Sequence, residues 1–537
     1  MKGEILENQL DEKTKSLITE MEKKLNEKEA EINNLQNEVA FLKAQLANRN
    51  RKIFSSTSEK IDPNQLSLFN EAEKESNSNI DEPTVEEVCY IRKKPSKNAG
   101  KKDNLEGLEK VVIEHKLSKD EAICQKCGSP LKIIGVNSKK QILKFVPSRL
   151  YVEEHITYSY ACRKCEAEDI KSNIVTTESP KNLINKGMAS NALLAHVISL
   201  KFLYSLPLYR QNNYFEMLGA TLSRQTLSNW VIGTATELQD IYDLMKEELL
   251  KSNYIQADET TLKVIENNGS ESKAKKYMWI YRTGTIKKPI ILYDYQKTRS
   301  SSCPREFLKG FSGFLQTDGY QGYNKVENVK RIYCLAHIRR KFHEIVADLN
   351  EETLKNSRAI IGFNWCEKIY NFERHLRENY SNTDDYYKKR YEIRLKELKP
   401  LLEDFEEYIN TEIKNALPRS PLGKALEYAQ KTVPTMKTVL EDGSLEIDNN
   451  AAERAVKPFV IGRKNWLFAN TAKGARSSAT IYSIIETAKA NGLKTERYLQ
   501  YLFDVISNLE IRDRDSLIDL MPWSDKIPQE LKLTPIK

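Results

Sequence analysis

From Tyr254 the sequence changes its period. The runs YIQADETTLKV, YMWIYRT and PIILYDYQ are rich in aromatic and β-branched residues and are joined by short polar segments. That pattern predicts a strand meander rather than helices. A short helix is expected near Pro304 to Leu308, and GFLQTDGYQGYN reads as a fourth strand ending at Asp318-Gly319. Asp258 stands at the end of the first strand and Asp318 just after the fourth. Neighbouring strands that finish at one edge bring two such carboxylates within reach of one cation. Glu259 follows Asp258 directly, so on a strand it faces the other side and makes a poor co-ligand. Asp294 lies inside the third strand without a turn signal and is a weaker candidate.

A third acid comes from far along the chain, in SLEIDNNAAERAVKPFVIGRKNWLFANTAKGARSSATIYSIIETAKANG, Ser444 to Gly492. This stretch reads as a short helix, a basic turn, a strand and a second helix. Asp448, Asn449 and Asn450 are good N-cap residues, and Pro458 is expected to stop the helix they open. Asn450, Glu453 and Lys457 share one face of that helix. Arg463, Lys464, Lys473 and Arg476 follow. One acid among polar and basic groups suits a metal ion held beside a phosphate backbone. Taken singly, each aspartate reads as a turn residue and Glu453 as a solvated helix acid. Taken together with the basic surround, they favour catalysis. The expected order, β-β-β-α-β-α-β and then helix, is that of the ribonuclease-H-like fold, in which such acids hold two divalent ions. One ion activates water or a 3′-hydroxyl while the other stabilises the leaving oxygen. Mg2+ (or Mn2+) suits an oxygen ligand set, and Lys457, Arg463 and Lys464 would meet the DNA backbone.

The remainder reads as modules around this centre. With 537 residues, 40% hydrophobic residues and 30% charged ones, the chain supports several cores plus solvated segments. The net charge of +8 permits nucleic-acid binding without requiring it. No apolar run is long enough to span a membrane, and MKGEILENQLDEK has no apolar core of a signal peptide. Residues 15–47 carry a heptad seam, Ile18, Met21, Leu25, Lys28, Ile32, Leu35, Val39, Leu42 and Leu46, apolar at eight of nine positions. A coiled coil over residues 1–50 that self-associates is expected, against a lone amphipathic helix. Residues 51–110 switch from acidic to basic without an apolar period and read as a linker. Cys124-x-x-Cys127 and Cys162-x-x-Cys165, 34 residues apart, read as a zinc ribbon over 111–178 with a closed, structural Zn2+ site. Its flanking strands are expected at Gln141 to Phe145 and Tyr151 to Tyr160. The other four cysteines, Cys334 among them, read as ordinary residues.

Residues 179–250 are expected to be helical. Within them YRQNNYFEMLGATLSRQTLSNWVI, Tyr209 to Ile232, reads as helix, glycine turn, helix, with Ser223 as N-cap. Leu218, Leu222, Leu227, Trp230 and Val231 form its apolar face, and Arg224, Gln225 and Asn229 point elsewhere. Such a hairpin either packs as an ordinary helical pair or presents its second helix to a DNA groove. The catalytic domain would then occupy 251–345 and 441–495, interrupted by a helical insertion over 346–440 in which Pro400 breaks the run Tyr386 to Ile413. A tail, 496–537, closes the chain. The fold class is thus multidomain α+β.

The sequence also resembles the transposases of the insertion sequence 66 family over nearly its whole length. The resemblance rests on FSSTSEK, the paired cysteine knuckles, SLPLYRQ with LSRQTLSNWV, QADET, TDGYQGYN, CLAHIRRKF, IDNNAAER, the GRKNWLFANTAKGARSSATIYSIIETAKANG block and the closing MPW. It implies a DDE transposase with Asp258, Asp318 and Glu453 as its triad, and a helical insertion that accounts for the 135 residues from Asp318 to Glu453. Ser55 and Thr57 stand where the family usually has Gly and Ser, and Ala475 where a second Gly is usual; none touches the triad. The expectation is an enzyme that binds terminal inverted repeats of double-stranded DNA, cuts them and joins the freed 3′-hydroxyl to target DNA. A homo-oligomer, element-encoded accessory proteins and a bacterial cytoplasm, at the nucleoid, are implied with it. The rivals are a catalytically inactive DNA-binding regulator and another ribonuclease-H-like nuclease.

Overall fold

A computed structural model describes residues 148–161 and 174–533, apart from 186, 266–274, 285–287, 348, 350–353, 355–356, 382 and 384, plus positions 20–21, 23–25, 28 and 129. The chain divides into two compact units, residues 1–148 with 534–537, and residues 149–533. In the first, Glu20, Met21, Lys23, Lys24, Leu25 and Lys28 are helical. The rest of the heptad run, the linker, the strand expected at Gln141 to Phe145 and all four ribbon cysteines lie outside the described residues.

In the second unit β1 (Ser159–Ala161) pairs antiparallel with β2 (Ile174–Thr176). The strand expected over Tyr151 to Tyr160 is confined to its end. Residues 150–158 have strand-like composition but no ladder partner among the described residues, and a strand is defined by its ladder. Four helices follow: α1 (Asn191–Phe202), α2 (Leu208–Met217), α3 (Arg224–Glu237) and α4 (Gln239–Leu250). The turn between α2 and α3 is made by Gly219 at φ +93°. Its N–H donates to the Glu216 carbonyl and the next N–H, from Ala220, to the Phe215 carbonyl, a closure that favours glycine. Ser223 then caps α3, its hydroxyl accepting the Thr226 N–H at 3.0 Å. Leu222, Leu227, Trp230 and Val231 are buried, while Arg224, Gln225 and Asn229 are exposed. The helix–turn–helix and its two faces are as expected.

The sheet comprises β3 (Tyr254–Leu262), β4 (Lys276–Thr283), β5 (Ile291–Gln296), then, after α5 (Ser302–Phe307), β6 (Gly313–Thr317) and β7 (Val329–Tyr333). Its order is β5-β4-β3-β6-β7. The first three strands form the antiparallel meander, and β6 and β7 add parallel to β3. The step from β6 to β7 passes through a 3-10 turn, Gln321–Lys325, rather than an α-helix. Trp279, Tyr281, Tyr293 and Leu315 are fully buried in the core.

Next come α6 (Leu335–Val346) and the insertion: α7 (Arg358–Tyr380), α8 (Tyr386–Ile393), a π turn over Arg394–Leu398, α9 (Lys399–Glu412) and α10 (Pro421–Met436). Pro400 does not break the run. It sits in the first turn of α9, where its missing N–H costs least, and the π turn just before it absorbs the change in pitch. Leu398, Leu402, Phe405, Ile409 and Leu426 form a second core with Ile332 and Leu335. The insertion therefore packs on the sheet's β7 end.

After the insertion come α11 (Asn450–Trp466), α12 (Ala472–Ala490), α13 (Thr495–Asn508) and α14 (Arg514–Ile518). Two expectations are corrected here. Pro458 lies inside α11 and does not end it. Burial of Ala452, Ala455, Phe459 and Gly462 along one face offsets the roughly 3 kcal/mol that an interior proline costs. Nor does a strand follow. Leu467 ends the helix at φ +64°, and the segment makes one isolated bridge, Ala469 to Val264. The basic "turn" residues Arg463 and Lys464 belong to the last turn of α11, where cations complement the helix dipole. Hydroxyls of α12 cover the sheet edge: Ser483 accepts the Tyr293 N–H at 2.8 Å and Thr487 the Ile291 N–H at 2.9 Å. An open edge is thereby closed. The tail packs on α1, with Asn191 donating to Asp504 at 2.9 Å.

Candidate active site

Side chains two apart on a strand share a face, so Tyr254, Gln256 and Asp258 line one face of β3. In the parallel pair β3–β6, Gln256 lies opposite Gln316. β6 ends at Thr317, so Asp318 follows it directly, and its charge acts on Asp258; Asp258, expected at a strand end, lies instead midway along β3, beyond the residues that pair with β6. The glutamines of QAD and QTD pair across the two strands, each two residues before its aspartate. Asp258 Oδ1 accepts the Glu259 N–H at 2.8 Å, and Asp318 Oδ1 the Tyr320 N–H at 2.9 Å. Burial pushes the Asp258 carboxyl up to about 8, helped by the charges of Glu259, Asp318 and Glu453. Arg299 approaches Asp318 Oδ2 at 3.9 Å while it also pairs with Glu259.

Glu259 is committed elsewhere, as expected. One of its oxygens pairs with Arg299 and the other accepts the Tyr323 hydroxyl at 2.6 Å. Trp279 lies opposite both Glu259 and Asp294, which places those two acids on the face away from Asp258. Asp294 accepts from Gln296 at 2.7 Å.

The segment before α11 crosses the Asp258 face on a polar ladder. Gln256 Nε2 donates to Gln316 Oε1 at 2.7 Å and to the Asp448 carbonyl at 3.3 Å. Gln316 Nε2 donates to the Glu446 carbonyl at 2.6 Å, and the Glu446 N–H donates to the Tyr254 hydroxyl at 3.2 Å. Asn449 Nδ2 donates to the Ala257 carbonyl at 2.8 Å, one residue before Asp258. From the other side the insertion grips the same segment. Glu373, Arg390 and Arg394 are fully buried. Glu373 pairs with Arg390 at 2.8 Å and Arg394 at 2.6 Å, Arg390 holds Glu446 at 2.9 Å, and Arg394 donates to the Leu445 carbonyl at 2.8 Å. So held, the chain enters α11 and presents Glu453 from its first turn to the two aspartates.

Sequence reasoning passed over three neighbours of Glu453, all in CLAHIRR. Arg340 approaches Glu453 Oε2 at 3.5 Å, and His337 Nδ1 lies 3.8 Å from Oε1. Burial holds the His337 ring below its ordinary pKa. Cys334, His337 and Glu453 offer atoms within 4.8 Å of one another. Cys334 is the poor member: burial pushes its thiol up to about 12, and Sγ already accepts the Asn449 N–H at 3.1 Å. The legible signal was the Cys-x-x-His spacing at the start of a helix. Of the expected DNA-contacting residues, Lys457 and Lys464 are exposed. Arg463 is instead turned to β3, reaching Thr260 and Thr261 Oγ1 at 3.3 Å each.

The donor set suits Mg2+ or Mn2+. The acids supply oxygens, as these ions require, and Glu453 Oε1 is buried without a hydrogen-bond partner.

A mixed sheet whose acids lie near one another at the start of a helix suits a transposase-type enzyme, and comparison with known families agrees. A model described as "Transposase IS66 family" matches residues 186–477, more than half of the chain and all three acids. The chain belongs to that family. Companion models match at residues 121–166 ("zinc-finger binding domain of transposase IS66"), 483–523 ("IS66 C-terminal element") and 41–113 ("Transposase C of IS166 homeodomain"). The first of these spans Cys124, Cys127, Cys162 and Cys165, and the last spans the stretch read as a linker. Among curated relatives, "Uncharacterized protein y4jD" of Sinorhizobium fredii is 28% identical over 78% of this chain and 80% of its own. "Uncharacterized protein y4qI" of the same organism is 27% identical over 81% and 78%. No helix among the described residues is long and apolar enough to cross a membrane.

Proposed function

We propose that this transposase binds the terminal inverted repeats of its element, cuts them and joins the 3′-ends to target DNA at Asp258, Asp318 and Glu453, in a domain of ribonuclease-H-like fold. The observation that carries the reading is the buried Asp258 carboxyl under the charges of Asp318, at the end of β6, and of Glu453, carried by the held segment 442–449. The strand order and the parallel β3–β6–β7 half support the fold assignment. The three acids would hold two Mg2+ or Mn2+ ions, which supply charge stabilisation to an in-line displacement at phosphorus. Hydrolysis and strand transfer are both such displacements, with water or a 3′-hydroxyl as the attacking group, so one site serves both. The protein's own part is placement. β3 and the end of β6 carry the aspartates, and the Gln256–Gln316 ladder holds the segment that leads to Glu453. Exposed Lys457 and Lys464 contact the DNA backbone, and Arg224, Gln225 and Asn229 on α3 read the element end. The ribbon cysteines hold a structural Zn2+. The heptad run joins protomers so that two ends are held together in the cytoplasm, at the nucleoid, with element-encoded accessory proteins.

The test is strand nicking at an end of the element that bears this gene, with Mg2+ and accessory proteins supplied, for wild type, Asp258→Ala and Glu453→Ala. Cutting by wild type alone, with binding retained by both variants, supports the reading. Equal cutting by all three removes these acids from the site. Binding without cutting by wild type under any metal leaves a DNA-binding regulator.

A further inference from the structure

His337 Nδ1 and Glu453 Oε1 face each other at 3.8 Å, and both atoms are buried with no hydrogen-bond partner. Two orphaned polar atoms in contact distance of one another are costly in a folded protein. The gap is too long for a hydrogen bond. It is the separation of two ligand atoms that share a third centre: donors each about 2.1 Å from one ion lie about 3 to 4 Å apart. Glu453 keeps this oxygen available because Arg340 approaches the other one, Oε2. His337 sits in the first turn of α6, directly after β7, so the sheet fixes the ring's position relative to Asp318 and Glu453.

We propose that His337 is a ligand of the ion held by Glu453, giving that site one imidazole nitrogen beside its carboxylate oxygens. This rests on the acids being the metal site. Its chemical consequence is selectivity. Mg2+ takes oxygen ligands in near-ideal octahedral geometry, whereas imidazole suits later, softer divalent ions. The mixed site favours Mn2+ over Mg2+ more strongly than an all-oxygen site would.

The experiment uses the full-length, zinc-loaded protein without DNA and reads Mn2+ binding together with its pulsed electron paramagnetic resonance spectrum. Wild type is expected to bind Mn2+ and to show modulation from a directly coordinated nitrogen. His337→Ala is expected to lose the nitrogen signal and to bind Mn2+ about ten- to a hundredfold more weakly. His337→Asn places an amide oxygen near the former Nδ1, so it is expected to recover Mn2+ affinity without the nitrogen signal. Mn2+ bound by wild type without nitrogen modulation, or a signal that persists in His337→Ala, overturns the proposal. Asp258→Asn separates the two levels. If it leaves wild-type Mn2+ binding unchanged, the acid site itself fails. If it abolishes binding while His337→Ala behaves as wild type, the acid site stands and only the imidazole ligand is lost.

Discussion

Replacing Asp258 by Asn should make the metal-free protein more stable while it abolishes cutting. The Asp258 carboxyl titrates at about 8 in the folded chain against an ordinary 3.8, because burial and then Glu259, Asp318 and Glu453 oppose its charge. The folded state therefore keeps a proton that the unfolded state releases. The stability this confers is full below about pH 4 and is lost as pH rises toward 8. Between 3.8 and pH 7 lie about three pH units, worth about 1.4 kcal/mol each, so the strain at pH 7 approaches about 4 kcal/mol. Asp258 retains some solvent contact, and screening lowers this figure to about 2–4 kcal/mol. Asn keeps an oxygen for the Glu259 N–H and carries no charge. The assay is urea unfolding in chelator from pH 5 to 8.5, followed by tryptophan fluorescence, with Trp279 buried in β4. Wild type should weaken with rising pH more steeply than Asp258→Asn, and Mg2+ at pH 8 should stabilise only wild type. Parallel pH profiles, or a variant less stable than wild type at pH 8 without metal, would refute the account of a charge-strained acid cluster.

Glu373→Ala leaves Arg390 and Arg394 buried without their acid, which should cost about 3–5 kcal/mol in urea unfolding and loosen the segment that carries Glu453. Arg224→Ala should weaken binding to element ends and lower the salt slope by about one if its contact is to phosphate, measured by titrating affinity against salt. Removal of zinc by a chelator should unfold residues 121–166, read as new proteolytic cleavage there and weaker end binding, with both reversed by added Zn2+.

Much of the candidate site was legible because strand alternation and turn chemistry are local. Asp318 is recognisable from where its strand ends, and Ser223 and Gly219 from the rules of caps and turns, whereas Asp258 lies midway along β3 rather than at its end, because pairing with β4 carries the strand on to Leu262. The Gln-x-Asp repeat was equally visible but carried no meaning until β3 and β6 were known to be parallel neighbours. The roles of Pro458 and Pro400 were misread for one reason. A proline's local cost is readable from sequence, but the burial of Phe459 and Gly462, or the π turn over Arg394–Leu398, that offsets it is not.

The amino-acid order alone pointed to the strand meander, the helix–turn–helix, the two aspartates, the glutamate and the paired cysteine knuckles, since each depends on residue type and short spacing. Only the tertiary structure decided how the acids meet. It set β3 beside β6, the buried Glu373–Arg390–Arg394 network that holds the segment before α11, and the approach of His337 to Glu453. It also ties Arg463 of α11 to Thr260 and Thr261 of β3. These are contacts between residues tens to hundreds of positions apart, and no local period in the sequence encodes them.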